Sequence, residues 1–70
     1  MAMNCVIVDD DPLSVRLLEG LIAQTDTLAL LRSFANAVEA VQFLRENDVD
    51  ILFLDVEMPE MTGLELLGAL

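Results

Sequence analysis

Asp9, Asp10 and Asp11 stand in a row where the apolar stretch "CVIV" ends, and a second acid-bearing segment, "LDVEMPEMTG", fills positions 54 to 63. Like charges stacked at the end of a strand repel unless they share protons or a cation neutralises them. The donors on offer are carboxylate oxygens, because the chain has no histidine and its single cysteine, Cys5, lies inside the apolar stretch. An all-oxygen set of this kind suits Mg²⁺ or Mn²⁺ rather than zinc. Mg²⁺ commonly takes one or two carboxylates and keeps waters, which leaves room for a phosphate oxygen.

The elements that must position these acids follow from the flanking residues. "CVIV" (5 to 8) is a short, β-branched run that reads as a strand buried on both faces. Asp11 can cap a helix with Pro12 at its first position, where the missing N–H is harmless. Leu13, Leu17 and Leu21, with Val15, Leu18 and Ile22, recur at helical spacing and define that helix over about 12 to 24. "TLALLRSF" (27 to 34) is a second strand, although Leu and Ala suit helices equally well. Asn36 with Glu39 three residues on is a capping-box pattern, which opens a helix near 36 to 47. "DILFLDV" (50 to 56) is the clearest strand. Pro59 and Gly63 exclude regular structure from "EMPEMTG", and "LELLGAL" begins a third helix.

Strand and helix alternating in so short a chain imply an α/β fold with parallel pairing and right-handed crossovers. In the flavodoxin-like order, strand 1 lies between strands 2 and 3, and ligands sit beyond the carboxyl ends of strands 1 and 3. Asp9 and Asp10 end strand 1 and Asp55 ends strand 3, on strands ~4.8 Å apart. The three acids are therefore expected to converge on one pocket.

Composition narrows the partners. Thirteen acidic residues oppose three arginines (Arg16, Arg32, Arg45), for a formal net charge of -10. Nucleic acid and anionic membrane surfaces are unsuitable direct ligands, since both require clustered Lys or Arg. Cations and basic protein patches are the expected partners. Cys5 reads as a small buried hydrophobe, and a lone thiol fits the cytoplasm. No apolar run approaches ~18 residues and no basic residue precedes the first one, so neither a membrane span nor a signal peptide is expected. A chain of this length buries only ~60 % of its unfolded surface, yet 56 % of it is hydrophobic, so leftover apolar surface is expected to need a partner.

"VIVDDDP" combined with "DILFLDVEMPEMTGLELL" resembles the receiver domain of two-component response regulators. From Asn4 to Leu70 the chain is similar to roughly the first half to two-thirds of such a domain, so residues 1–70 are expected to form a single truncated receiver. The resemblance implies that Asp55 accepts a phosphoryl group from a phosphohistidine on a sensor histidine kinase. It further implies that Asp10, Asp55 and the backbone carbonyl of Glu57 bind Mg²⁺ directly, and that Asp9 helps through water. Pro59 and Gly63 would shape the loop and Met58 would pack beneath it. Such a protein is no enzyme toward an outside substrate, but a phosphoacceptor that catalyses its own phosphorylation and dephosphorylation. The wording "MPEMTGLELL" is similar to regulators carrying LytTR-type DNA-binding domains.

Receivers also use a Ser or Thr after a fourth strand and a Lys after a fifth. This chain has no lysine, and Thr25, Thr27 and Thr62 do not stand at matching places. With strand 3 at an edge, the expectation is a homo-oligomer joined through that strand or through uncovered helix faces. Three other readings stand beside phosphotransfer. The acids could form a solvated turn with capping duty, or the chain could serve only as a dimerisation or docking module. Asp9 and Asp11 also have the spacing of a haloacid-dehalogenase-like phosphatase, which would leave Asp55 and its loop unexplained.

Overall fold

Strand and helix alternate throughout the computed structural model, which describes residues 1–56 and 63–69. The order is β1 (Met3–Val8), α1 (Pro12–Ala23), β2 (Leu28–Phe34), α2 (Ala37–Glu46), β3 (Ile51–Leu54) and α3 (Gly63–Ala69). The strands form one parallel sheet in the order β2-β1-β3. This is the expected flavodoxin-like arrangement, with β1 in the middle.

The central strand divides the core. Cys5 and Ile7 face α1 and pack with Ile22, Val15 and Leu18, whereas Val6 and Val8 face the other side and pack with Phe34, Ala37, Ala40 and Leu66. All four β1 residues from Cys5 to Val8 have 0 % exposure, so the apolar run is buried on both faces, as its composition requires. On α1 the inward row is Val15, Leu18 and Ile22, at spacings of three and four. The other apolar row, Leu13, Leu17 and Leu21, is 62 to 65 % exposed, because the sheet covers one face of the helix only.

The helix starts are set by side chains. Asp11 accepts from the Leu13 N–H at 3.1 Å and from the Ser14 hydroxyl at 2.9 Å, with Pro12 next in line. Asn36 caps α2 by accepting from the Glu39 N–H at 2.9 Å. At the end of α1, the Thr25 hydroxyl donates to the Leu21 carbonyl at 2.7 Å, which satisfies one of the carbonyls a helix end leaves over. Leu66 fixes α3 by burial against the sheet and α2, and Arg45 donates to the Ala69 carbonyl at the other end of α3.

The strands differ from expectation in their bounds, and one ladder slips in register. β1 begins at Met3 rather than Cys5, because Met3 pairs with Leu28 and its N–H reaches the Thr27 carbonyl at 2.8 Å. β3 runs over 51 to 54 rather than 50 to 56, since the ladder with β1 ends where Leu54 meets Val8. In β2 the register slips: Leu30 pairs with Cys5 but Arg32 pairs with Val6, so Leu31 is a bulge. Partners in register share a face, so the extra residue turns Arg32 and Phe34 to the side of Val6 and Val8. Phe34 would otherwise point toward α1. Among the described residues no helix is long and apolar enough to cross a membrane.

Candidate functional site

The backbone delivers the acids to one edge of the sheet. β1 ends at Val8, and the next N–H, of Asp9, donates to the Phe34 carbonyl at 3.0 Å. On the other side the Asp55 N–H donates to the Val8 carbonyl at 2.9 Å. Asp9 then turns the chain, with its Oδ1 accepting from the Asp11 N–H at 2.9 Å, an Asx turn that leads into α1. Asp9 and Asp55 are half-buried, while Asp10 is exposed.

Carboxylate oxygens of Asp9, Asp10 and Asp55 lie within 4.8 Å of one another. Three carboxylates this close repel one another, and a cation that enters among them relieves that repulsion. Oxygen-only donors at this spacing fit Mg²⁺ or Mn²⁺, which accept carboxylates directly or through water. Asp11 is not part of the trio, because its two oxygens are engaged at the start of α1. The expected contributions of Glu57, Met58 and Pro59 lie outside the described residues.

Two clefts meet at Asp9. One, of about 250 Å³, is lined by Leu18, Phe53, Leu54 and Asp55 as well as Asp9. The other, of about 340 Å³, opens between α1 and the end of β2, with Asp9, Asp10, Arg16, Glu19 and Ser33 on its walls. Sequence reasoning had no role for Arg16, Ser33 or the Phe34 carbonyl. Arg16 and Ser33 could have been suspected, since the start of a helix after strand 1 and the end of strand 2 both border the carboxyl edge. The Phe34 carbonyl could not, because its place depends on the bulge at Leu31.

A parallel 2-1-3 sheet whose first and third strands bring three aspartates together defines the opening part of a signalling receiver. The family model described as "Response regulator receiver domain" matches residues 5–70, and the chain belongs to that family. It is 42 % identical over 68 residues to a "Transcriptional regulatory protein BtsR" from Salmonella typhi, covering 97 % of this chain and 28 % of the relative. The protein of the same description from Escherichia coli K12 is 35 % identical over 68 residues, with the same 97 % and 28 % coverage. An "Uncharacterized response regulatory protein" from Vibrio vulnificus is 33 % identical over 66 residues, covering 94 % of this chain and 27 % of that protein. The chain thus spans between a quarter and a third of the length of these curated relatives.

Proposed function

We propose that residues 1–70 work as the amino-terminal part of a receiver domain in two-component signalling, with Asp55 as the phosphoacceptor and a sensor histidine kinase as donor. The observation that carries this reading is the convergence of Asp9, Asp10 and Asp55 within 4.8 Å at the carboxyl edge of the sheet. Asp10, Asp55 and the Glu57 backbone carbonyl would hold Mg²⁺ or Mn²⁺ directly, with Asp9 acting through water. When bound, the ion neutralises charge on the transferring phosphoryl oxygens.

The chain's own part is nucleophilic. An Asp55 carboxylate oxygen forms a bond to phosphorus while the bond from phosphorus to the donor's imidazole nitrogen breaks, and the electron pair stays with that nitrogen. The product is an acyl phosphate on Asp55. No outside substrate is turned over, so the activity is self-modification and its reversal by water. The compartment proposed is the cytoplasm, in keeping with a buried, unpaired Cys5. Two of the named relatives are described as transcriptional regulators, so the proposed output is transcription. With a net charge of -10, residues 1–70 would not themselves contact DNA.

A second reading is association of two copies without phosphotransfer, and the asymmetry of the sheet edges favours β3 as its surface. On β2 the bulge at Leu31 and the charge of Arg32 blunt the edge, whereas β3 is an unbulged apolar run, "ILFL".

Intact mass after incubation with Mg²⁺ and acetyl phosphate or phosphoramidate tests the phosphoacceptor reading. A single added phosphoryl, absent from Asp55→Asn, is the expected result. No adduct, or an adduct that persists in the variant, overturns it.

A further inference from the structure

The three arginines stand in different surroundings. Arg32 lies over the rings of Phe34 and Phe43, 5.5 and 5.7 Å from their centroids, and Arg45 donates to the Ala69 carbonyl. Arg16 has no hydrogen bond or ion pair among the described residues, although the chain carries thirteen acids. It lines the 340 Å³ cleft beside Asp9 and Asp10, with Ser33 on the facing wall.

The two clefts share Asp9 but differ in what else they hold. Asp55 and the end of β3 line the smaller one, Arg16 and the end of β2 the larger, and β1 runs between those two strands, so the two clefts flank the end of β1. In phosphoryl transfer the attacking and leaving atoms are roughly in line, on opposite sides of phosphorus. A donor seated over the trio with its phosphorus next to Asp55 and its leaving atom on the Asp9 side would extend toward the Arg16 cleft.

We infer that Arg16 and its cleft form a leaving-group subsite that favours small acyl phosphates over phosphoramidates as direct donors. This rests on the phosphoacceptor reading of Asp55. With acetyl phosphate, the Asp55 oxygen bonds to phosphorus as the bond from phosphorus to the acetyl oxygen breaks, and the electron pair departs on acetate. Negative charge thus develops on a carboxylate, which a planar guanidinium matches with two parallel hydrogen bonds. With N-protonated phosphoramidate, the P–N bond breaks and the pair departs on neutral ammonia, which has one lone pair but neither the negative charge nor the second acceptor atom that the guanidinium fork matches. The contact strengthens as the bond breaks, so it accelerates transfer from the first donor only.

The test is the second-order rate of Asp55 phosphorylation by each donor, followed by intact mass at fixed Mg²⁺. Arg16→Ala is expected to lower the ratio of the acetyl phosphate rate to the phosphoramidate rate by about tenfold, the size of one charge-assisted hydrogen bond. Arg16→Lys keeps the charge but loses the fork, and should recover part of that ratio. An unchanged ratio in Arg16→Ala, or equal losses with both donors, overturns the subsite and leaves Asp55 as phosphoacceptor. A native chain that takes no phosphoryl from either donor overturns both.

Discussion

The Asp55 N–H donates to the Val8 carbonyl at 2.9 Å, which fastens the end of β3 to the residue before Asp9. With the Asp9 N–H on the Phe34 carbonyl at 3.0 Å, the ends of all three strands are tied by backbone alone. The strand ends that carry the trio are therefore joined without the carboxylates, and only Asp9 adds a side-chain bond to the local backbone, in the turn into α1. Changing one of them should alter charge and ligation while leaving the sheet intact.

A crossing in thermal stability follows. In EDTA, Asp10→Asn should melt above the native chain, because one of three converging charges is gone. On adding Mg²⁺ the native chain should gain about 1.4 kcal/mol at a free concentration tenfold above its Kd. For a domain of this size that is roughly 5–10 °C. Asp55→Asn and Asp10→Asn should gain much less. Melting curves by circular dichroism, with and without millimolar Mg²⁺, check both directions, and a native chain indifferent to Mg²⁺ would favour the docking module.

Stability should depend on Leu66 far more than on the exposed leucines. Leu66 has 0 % exposure and joins α3 to Val6, Val8 and Phe34, so Leu66→Ala should lose about 2–5 kcal/mol. Leu17 is 62 % exposed, and Leu17→Ala should stay within about 0.5 kcal/mol of the native chain. Urea unfolding midpoints would separate the two.

The start of α1 is a third point of leverage. Asp11 satisfies both the Leu13 N–H and the Ser14 hydroxyl, so Asp11→Ala should lose about 1 kcal/mol. Asp11→Asn, which caps nearly as well, should lose a fraction of that. The same urea series reads the difference.

These contrasts show which features were open to sequence reasoning. The Asp11 and Asn36 caps, the doubly buried β1 and the meeting of Asp9, Asp10 and Asp55 each follow from local residue types plus the rule for parallel α/β sheets. The bulge at Leu31 does not, since "LALLRSF" alternates no differently with or without it. Its effect is visible only through pairing, when Phe34 joins Val8 instead of facing α1. Nor could apolar spacing on α1 tell which leucine row is covered, because Leu13, Leu17 and Leu21 repeat as regularly as Val15, Leu18 and Ile22. A sheet lying against one face makes that choice.

Self-association should depend on salt in a definite sense. If two copies meet through the β3 edge, a net charge of -10 on each opposes them. Screening shortens the reach of that repulsion to ~10 Å at 0.1 M and ~3 Å at 1 M. Sedimentation velocity should show dimers at tens of micromolar, favoured by raising NaCl. A sharp monomer across that range would remove the second reading.

The central claim is that Asp55, and not Asp9, takes the phosphoryl group. Reduction with borohydride converts an aspartyl phosphate to homoserine and marks the residue permanently, so peptide mass spectrometry can place it. After Mg²⁺ and acetyl phosphate, the account predicts homoserine at position 55 and unmodified Asp9 and Asp10. Homoserine at position 9 would instead support phosphatase-type chemistry at the end of β1, and homoserine nowhere would contradict phosphotransfer in this chain.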